Sequence, residues 1–151
     1  MPEPARLLVE RALAVAREAF GSELRSLALF GSHARGEATG ASDIDLAVVV
    51  GELADDPYAR VAGAKLALRV EEPPFLSFVI WRSAELAGHP WLLLDVATDG
   101  IVLLDDGGLE RELQDVRARL RAYGSRRVRL PDGTWYWDLK PDWKPGDVVQ
   151  V

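Results

Sequence analysis

Apolar positions in the first twenty residues fall on one helical stripe. Leu7, Leu8, Ala12, Val15, Ala16 and Phe20 predict a helix over residues 5–20, closed by Gly21. Pro2 and Pro4 precede it as a fraying lead. The pattern then shortens and densifies. RSLALF (25–30) and DIDLAVVV (43–50) read as buried strands, separated by a small, polar, glycine-rich segment from Gly31 to Gly40. A helix over 57–70 carries Val61, Ala64 and Leu68. Pro73 and Pro74 stop it, and FLSFVIW (75–81) makes a third strand. Further on come a short apolar helix (91–98), a strand (100–104) and a helix (107–123) with Leu109, Leu113, Val116 and Leu120 on one face. A β-hairpin follows, turning at Pro131-Asp132-Gly133, and then an extended tail.

Helices and strands alternate through most of the chain. That predicts an α/β (α+β) sandwich: a small mixed β-sheet covered by helices. Two parts are expected. Residues 1–106 form the main domain, and 107–151 a helix plus C-terminal β-hairpin extension packed on it. The extension is an appendage or an oligomer-forming element.

Composition narrows the chemistry. Among 151 residues there is no cysteine, so disulfides, thiolate zinc sites and cysteine nucleophiles are out. The two histidines, His33 and His89, are too few for a multi-histidine metal site. A metal here is a hard cation held by carboxylates, magnesium or manganese. Net charge is −6, which disfavours a nucleic-acid-coating surface. Seven arginines (111, 117, 119, 121, 126, 127 and 129) nevertheless crowd one region. They read as a solvated helix face plus a strand, with a partner or polyanion contact as the alternative. No signal peptide and no bilayer-length apolar run are visible, so the expected location is cytoplasmic, with no membrane contact.

The segment that carries chemistry is FGSHARGEATGASDIDL (30–46). Residues i and i+2 of a strand face one side, so Asp43 and Asp45 project together. Two neighbouring carboxylates repel unless a cation lies between them. Gly31 and Ser32 break the preceding strand, where exposed N–H groups and a hydroxyl can cradle phosphate. Arg35 can reach phosphates with its planar fork. An anion cradle beside an acidic pair suits phosphoryl or nucleotidyl transfer, in which positioning and charge neutralisation do most of the work.

Gly31-Ser32, ten residues, then Asp43-Ile44-Asp45 resembles the signature of the DNA polymerase β-like nucleotidyltransferase superfamily. The run GSHARGEATGASDIDLAVVV is most similar to its minimal nucleotidyltransferases. The resemblance covers about residues 5–105, and RRVRLPDGTWYWDLKP resembles an extension of some prokaryotic members. It implies that Gly31 and Ser32 bind the triphosphate of an NTP, ATP first, with Arg35 and Ser42 in the nucleotide-binding set. It implies that Asp43 and Asp45 are the catalytic metal ligands, holding Mg2+ (or Mn2+), and that NMP passes to an acceptor as pyrophosphate leaves. It also implies a HEPN-type helical partner protein, with this chain the antitoxin of a toxin–antitoxin pair.

One departure stands out. The family's third carboxylate belongs near Ser77, and the strand FLSFVIW has no acid. Serine neither ligates a metal as a carboxylate does nor serves unaided as a base. Glu72 lies upstream by five residues, ~16 Å of extended chain. The alternative function is therefore a catalytically impaired nucleotide-binding partner protein.

Other side chains take plainer roles. His33 is a loop residue near the site, His89 a helix-start residue. Trp135, Tyr136, Trp137 and Trp143 are read as buried against the domain or a second subunit, with base stacking as the sharper alternative.

Overall fold

A computed structural model describes residues 3–151. Pro2, placed in the lead before the first helix, lies outside the described residues. Pro4 stands inside the first turn of α1 (Glu3–Phe20), where proline's missing N–H costs nothing. The buried face of α1 is Val9, Ala12, Val15, Ala16, Ala19 and Phe20. Leu7 falls off that stripe and is 53% exposed.

After a single 3₁₀ turn come β1 (Leu24–Phe30), α2 (Gly31–Arg35), β2 (Ile44–Val50), α3 (Pro57–Ala67) and β3 (Leu76–Arg82). Then follow α4 (Ser83–Leu86), α5 (Leu92–Asp99), β4 (Ile101–Leu104), α6 (Gly108–Tyr123), β5 (Arg126–Arg129) and β6 (Trp135–Asp138). Proline at the first position of α3 and the Asp56 carboxylate accepting from the Tyr58 N–H start that helix sharply. It stops before residue 70, where it was expected to end. Arg69 turns left-handed (φ 50°), and the N–H groups of Arg69 and Val70 fold back onto the carbonyls of Leu66 and Lys65. Leu68 therefore lies past the helix, 43% exposed.

Four strands form one sheet in the order β3-β2-β1-β4. β1 runs antiparallel to both β2 and β4, whereas β2 and β3 are parallel and joined through α3. The sheet is mixed, as expected. Strand alternation divides the core in two. Ile44, Leu46, Val48 and Val50 pack with Leu27 and Leu29 against α1 and α3. Ala28, Phe30, Ala47 and Val49 pack on the opposite face with Leu93, Leu94, Leu113 and Val116 of α5 and α6. Two-sided burial explains why β1 and β2 read as continuous apolar runs rather than alternating ones.

β5 and β6 form the expected hairpin, separate from the main sheet. Trp137, Leu139 and Val151 pack against the second core, so the hairpin and tail are seated on the α5–α6 side. Among the described residues, no helix is long and apolar enough to cross a membrane.

Candidate active site

Alternation places Asp45 in the same set as Ala47 and Val49, on the α5–α6 face of the sheet. It sits where that face runs out of apolar cover, at the second residue of β2. Its register partners are Phe30 on β1, the residue just before Gly31, and Ser77 on β3. The strand end, the glycine–serine corner and the start of β3 thus meet at one place.

Gly31 has φ +71°, and a Cβ built on it would run into the Asp45 carboxylate, with the Asp45 Cγ at 3.0 Å. Only glycine admits both the left-handed backbone and the carboxylate resting against it. Ser32 follows in the one-and-a-half turns of α2, which Gly36 ends in a left-handed cap (φ 74°). The Ser32 carbonyl accepts from the N–H of Glu37 at 2.9 Å.

Asp45 is half-buried. Burial, and after it the negative charge of Asp43, push its carboxyl above the ordinary carboxylate value; His33 and Arg35 pull it partly back. Among the described residues, no donor hydrogen-bonds its carboxylate. A half-buried carboxylate with an acidic neighbour and no donor is costly to keep ionised. A divalent cation removes that cost. The donor set therefore fits a hard metal ion: two carboxylates two residues apart at the start of a rigid strand, beside a corner fit for phosphate. Asp43 itself is exposed and lies just before the strand, which begins at Ile44 rather than at residue 43.

The remaining candidates are placed as follows. Ser42 ties the loop to itself: its hydroxyl accepts from the Thr39 N–H at 2.9 Å, and its carbonyl faces His33 Nε2 at 3.5 Å. Arg35 is already engaged, with Nε donating to Glu37 at 3.0 Å and Nη1 to Asp99 at 3.5 Å. Ser77, exposed, stands on β3 directly across from Asp45 and on the same face. Glu72 does not replace an acid there. Its carboxylate accepts from Lys65 Nζ at 3.0 Å and from the Leu76 N–H at 2.9 Å, capping the outer edge of β3.

Several side chains near the corner were not placed there by the sequence. Asp99, at the end of α5, accepts both guanidinium nitrogens of Arg127 at 2.7 and 2.9 Å as well as Arg35. Trp135 of β6 has the guanidinium carbons of Arg127, Arg35 and Arg129 at 3.8, 4.3 and 5.0 Å from its ring centroid. Its ring is thus covered by cations and offers no open stacking platform. The arginine crowd is largely neutralised in place: Arg117, Arg119, Arg126, Arg127 and Arg129 each meet a carboxylate.

A second acidic group lies elsewhere. His89, Glu112 and Asp115 bring ligand atoms within 4.8 Å of one another. β3 leads from Ser77, beside Asp45, to Arg82 at its other end, and His89 follows α4 there. This group is therefore at the opposite end of the sheet from the corner. His89 is not a simple helix-start residue. Its ring is buried, 2.9 Å from Glu112, and Arg119 sits 3.1 Å from Asp115. Arg119 supplies positive charge to Asp115 in this network. A cleft of about 830 Å³ between α3 and β3, lined by Tyr58, Leu66, Val70 and Phe78, also lies away from the acidic corner.

Several solved structures align with this chain. A toxin–antitoxin complex with AMP-PNP aligns at TM-score 0.50 and 20% identity, over 75% of this chain and 87% of that one. The toxin–antitoxin MntA-HepT aligns at TM-score 0.47 and 18% identity, over 77% and 87%. A tri-AMPylated Shewanella oneidensis HEPN toxin in complex with MNT antitoxin aligns at 0.44 and 19%, over 78% and 92%. At 20% identity the first of these speaks for the fold alone. Sequence comparison with curated proteins returns no match. The family model described as nucleotidyltransferase domain matches residues 9–99, spanning β1, the glycine–serine corner, the acidic pair and β3. This chain belongs to the nucleotidyltransferase domain family.

Proposed function

We propose that the corner of Gly31, Ser32, Asp43 and Asp45 binds a magnesium–nucleoside triphosphate, ATP foremost, and that the chain transfers NMP from it to an acceptor. The observation that carries the reading is the Asp45 carboxylate: half-buried, raised in pKa, resting against Gly31 and, among the described residues, lacking a donor. Bound Mg2+ supplies charge neutralisation for the phosphates and for the departing pyrophosphate. Asp43 and Asp45 hold it. Backbone N–H groups at Gly31 and Ser32 and the Ser32 hydroxyl orient the phosphate chain. Manganese suits the same oxygen donors.

The acceptor is a protein of the HEPN type, with this chain as the antitoxin of the pair. The support is the resemblance of the motif and the nature of the fold neighbours: a toxin–antitoxin complex was solved with AMP-PNP, and the HEPN toxin bound to an MNT antitoxin was tri-AMPylated. A cytoplasmic location goes with that role.

A second reading is favoured by Ser77. Across from Asp45, where the third carboxylate is expected, a hydroxyl stands instead. Binding then persists while turnover is weak, and the chain acts chiefly as a nucleotide-dependent partner.

The test is a calorimetric titration of ATP and GTP with and without Mg2+, in the parent chain and in Asp43→Asn/Asp45→Asn. The double variant should lose magnesium-dependent affinity by at least about a hundredfold, the removal of two charge-assisted ligands. Unchanged affinity would dispose of the site. Pyrophosphate release with a HEPN partner present then separates the two readings.

A further inference from the structure

The hairpin β5–β6 lies outside residues 9–99, the span of the family match. Yet it reaches the corner. Trp135 stacks on Arg35, the last residue of α2, and Arg129 of the same hairpin meets Glu37 at 3.3 Å, two residues further on. Arg127 anchors the assembly. It spans Asp99 with both terminal nitrogens, reaches Asp95 at 3.2 Å and packs 3.8 Å from the Trp135 centroid. Asp99 is in turn within 3.5 Å of Arg35. The Arg35 guanidinium is therefore held from three sides, by an indole face and two carboxylates, and its charge is felt at Asp45.

A free arginine on a five-residue helix samples many rotamers, and ordering it for a ligand costs entropy. Stacked on a fixed ring it is already ordered. We infer that Trp135 is a positioning residue for the nucleotide site: it holds Arg35 at the flank of the Gly31–Ser32 corner, so that the C-terminal hairpin is a working part of that site. This rests on the nucleotide-binding reading above. Trp135 touches no ligand in it and acts only through Arg35.

The test is a double-mutant cycle in the full chain, read as Mg2+–ATP affinity by calorimetry. Trp135→Ala should weaken binding about three- to tenfold, the scale of one partly desolvated cation–π contact. Trp135→Phe, which keeps an aromatic face, should recover most of it. Arg35→Ala should weaken binding by at least as much, and Trp135→Ala/Arg35→Ala no further than Arg35→Ala alone. Circular dichroism and Tm on each variant keep misfolded protein out of the cycle. Multiplicative losses would overturn the inference, because Trp135 would then act other than through Arg35. So would unchanged affinity in Trp135→Ala, which leaves the nucleotide reading standing. A parent chain with no magnesium-dependent ATP binding would sink both together.

Discussion

Asp45 and Asp99 are both partly shielded carboxylates at the same end of the molecule, Asp99 the more so, and both feel Arg35. They differ in every other respect. Asp99 accepts two hydrogen bonds from Arg127 and a third, longer one from Arg35, a bidentate arrangement that satisfies a buried charge. Asp45 has no such donor, and Asp43 lies beside it. Folding can afford the first carboxylate readily. The second is tolerated at a cost, and an uncompensated cost at the mouth of a strand is the mark of a group kept for a ligand rather than for stability.

The largest effect should come from deepening the imbalance at Asp45. Ser77→Asp puts a third carboxylate on β3 across from Asp45 and on the same face. With Mg2+, ATP and a HEPN partner, pyrophosphate release should rise by about a hundredfold or more, the lower end of what a positioned general base contributes. Without Mg2+ the same variant should melt lower than the parent, since three like charges would share one corner. A rise in Tm without metal would contradict the picture of a charge-deficient site. No gain in turnover would mean that Ser77 is not what limits catalysis.

The opposite change tests Asp99. Asp99→Ala strands Arg127 among Asp95, Trp135 and Trp137 with its main partner gone. Removing one side of such a pair, here only partly buried, should cost about 2 kcal/mol, or roughly 4–8 °C in Tm for a chain of this size. Thermal melts at low and high salt measure it. A loss below about 0.5 kcal/mol would place Asp99 among ordinary surface ion pairs.

The contrast also explains what the sequence could and could not reveal. Asp43, Asp45 and the Gly31–Ser32 corner are encoded within fifteen residues, and strand alternation carries their relative placement. Ser77 is legible one step less directly, because it needs the strand over 75–81 and a spacing argument; the parallel register with β2 supplies the rest. The sheet itself could be read as apolar runs, because burial on both faces leaves no other interpretation of RSLALF and LAVVV. Asp99 and Trp135 could not be found this way. Each meets Arg35 across 64 or 100 positions of chain, through side chains whose partners only tertiary packing selects. The end of α3 was misplaced for a local reason. Leu68 and Val70 continue the apolar rhythm, and nothing in the pattern marks Arg69 as the residue that turns left-handed. His89 was assigned to a helix start because its partners, Glu112 and Asp115, arrive from α6.

The smallest effect separates the two carboxylates most cleanly, because its sign is reversed. Asp45→Asn keeps the shape of the side chain and removes the charge. The folded-state pKa of Asp45 lies above its ordinary value of 3.8, through burial and Asp43, so ionisation opposes folding. The penalty is present in full at pH values above the folded-state pKa. It shrinks as pH falls through that pKa and is gone below 3.8, where the carboxyl is protonated whether the chain is folded or not. The variant should therefore melt higher than the parent at pH 7, by about 2–4 °C for each kcal/mol relieved. The difference should close as the buffer is taken down toward pH 3.5, where the Asp45 carboxyl is no longer charged in the parent. Saturating Mg2+–ATP at pH 7 should reverse the order, raising the Tm of the parent and leaving the variant where it was, because only a chain that binds the ligand gains stability from it. A variant less stable than the parent at pH 7 without ligand would mean that Asp45 holds the fold together as Asp99 does, and the distinction between them would be lost.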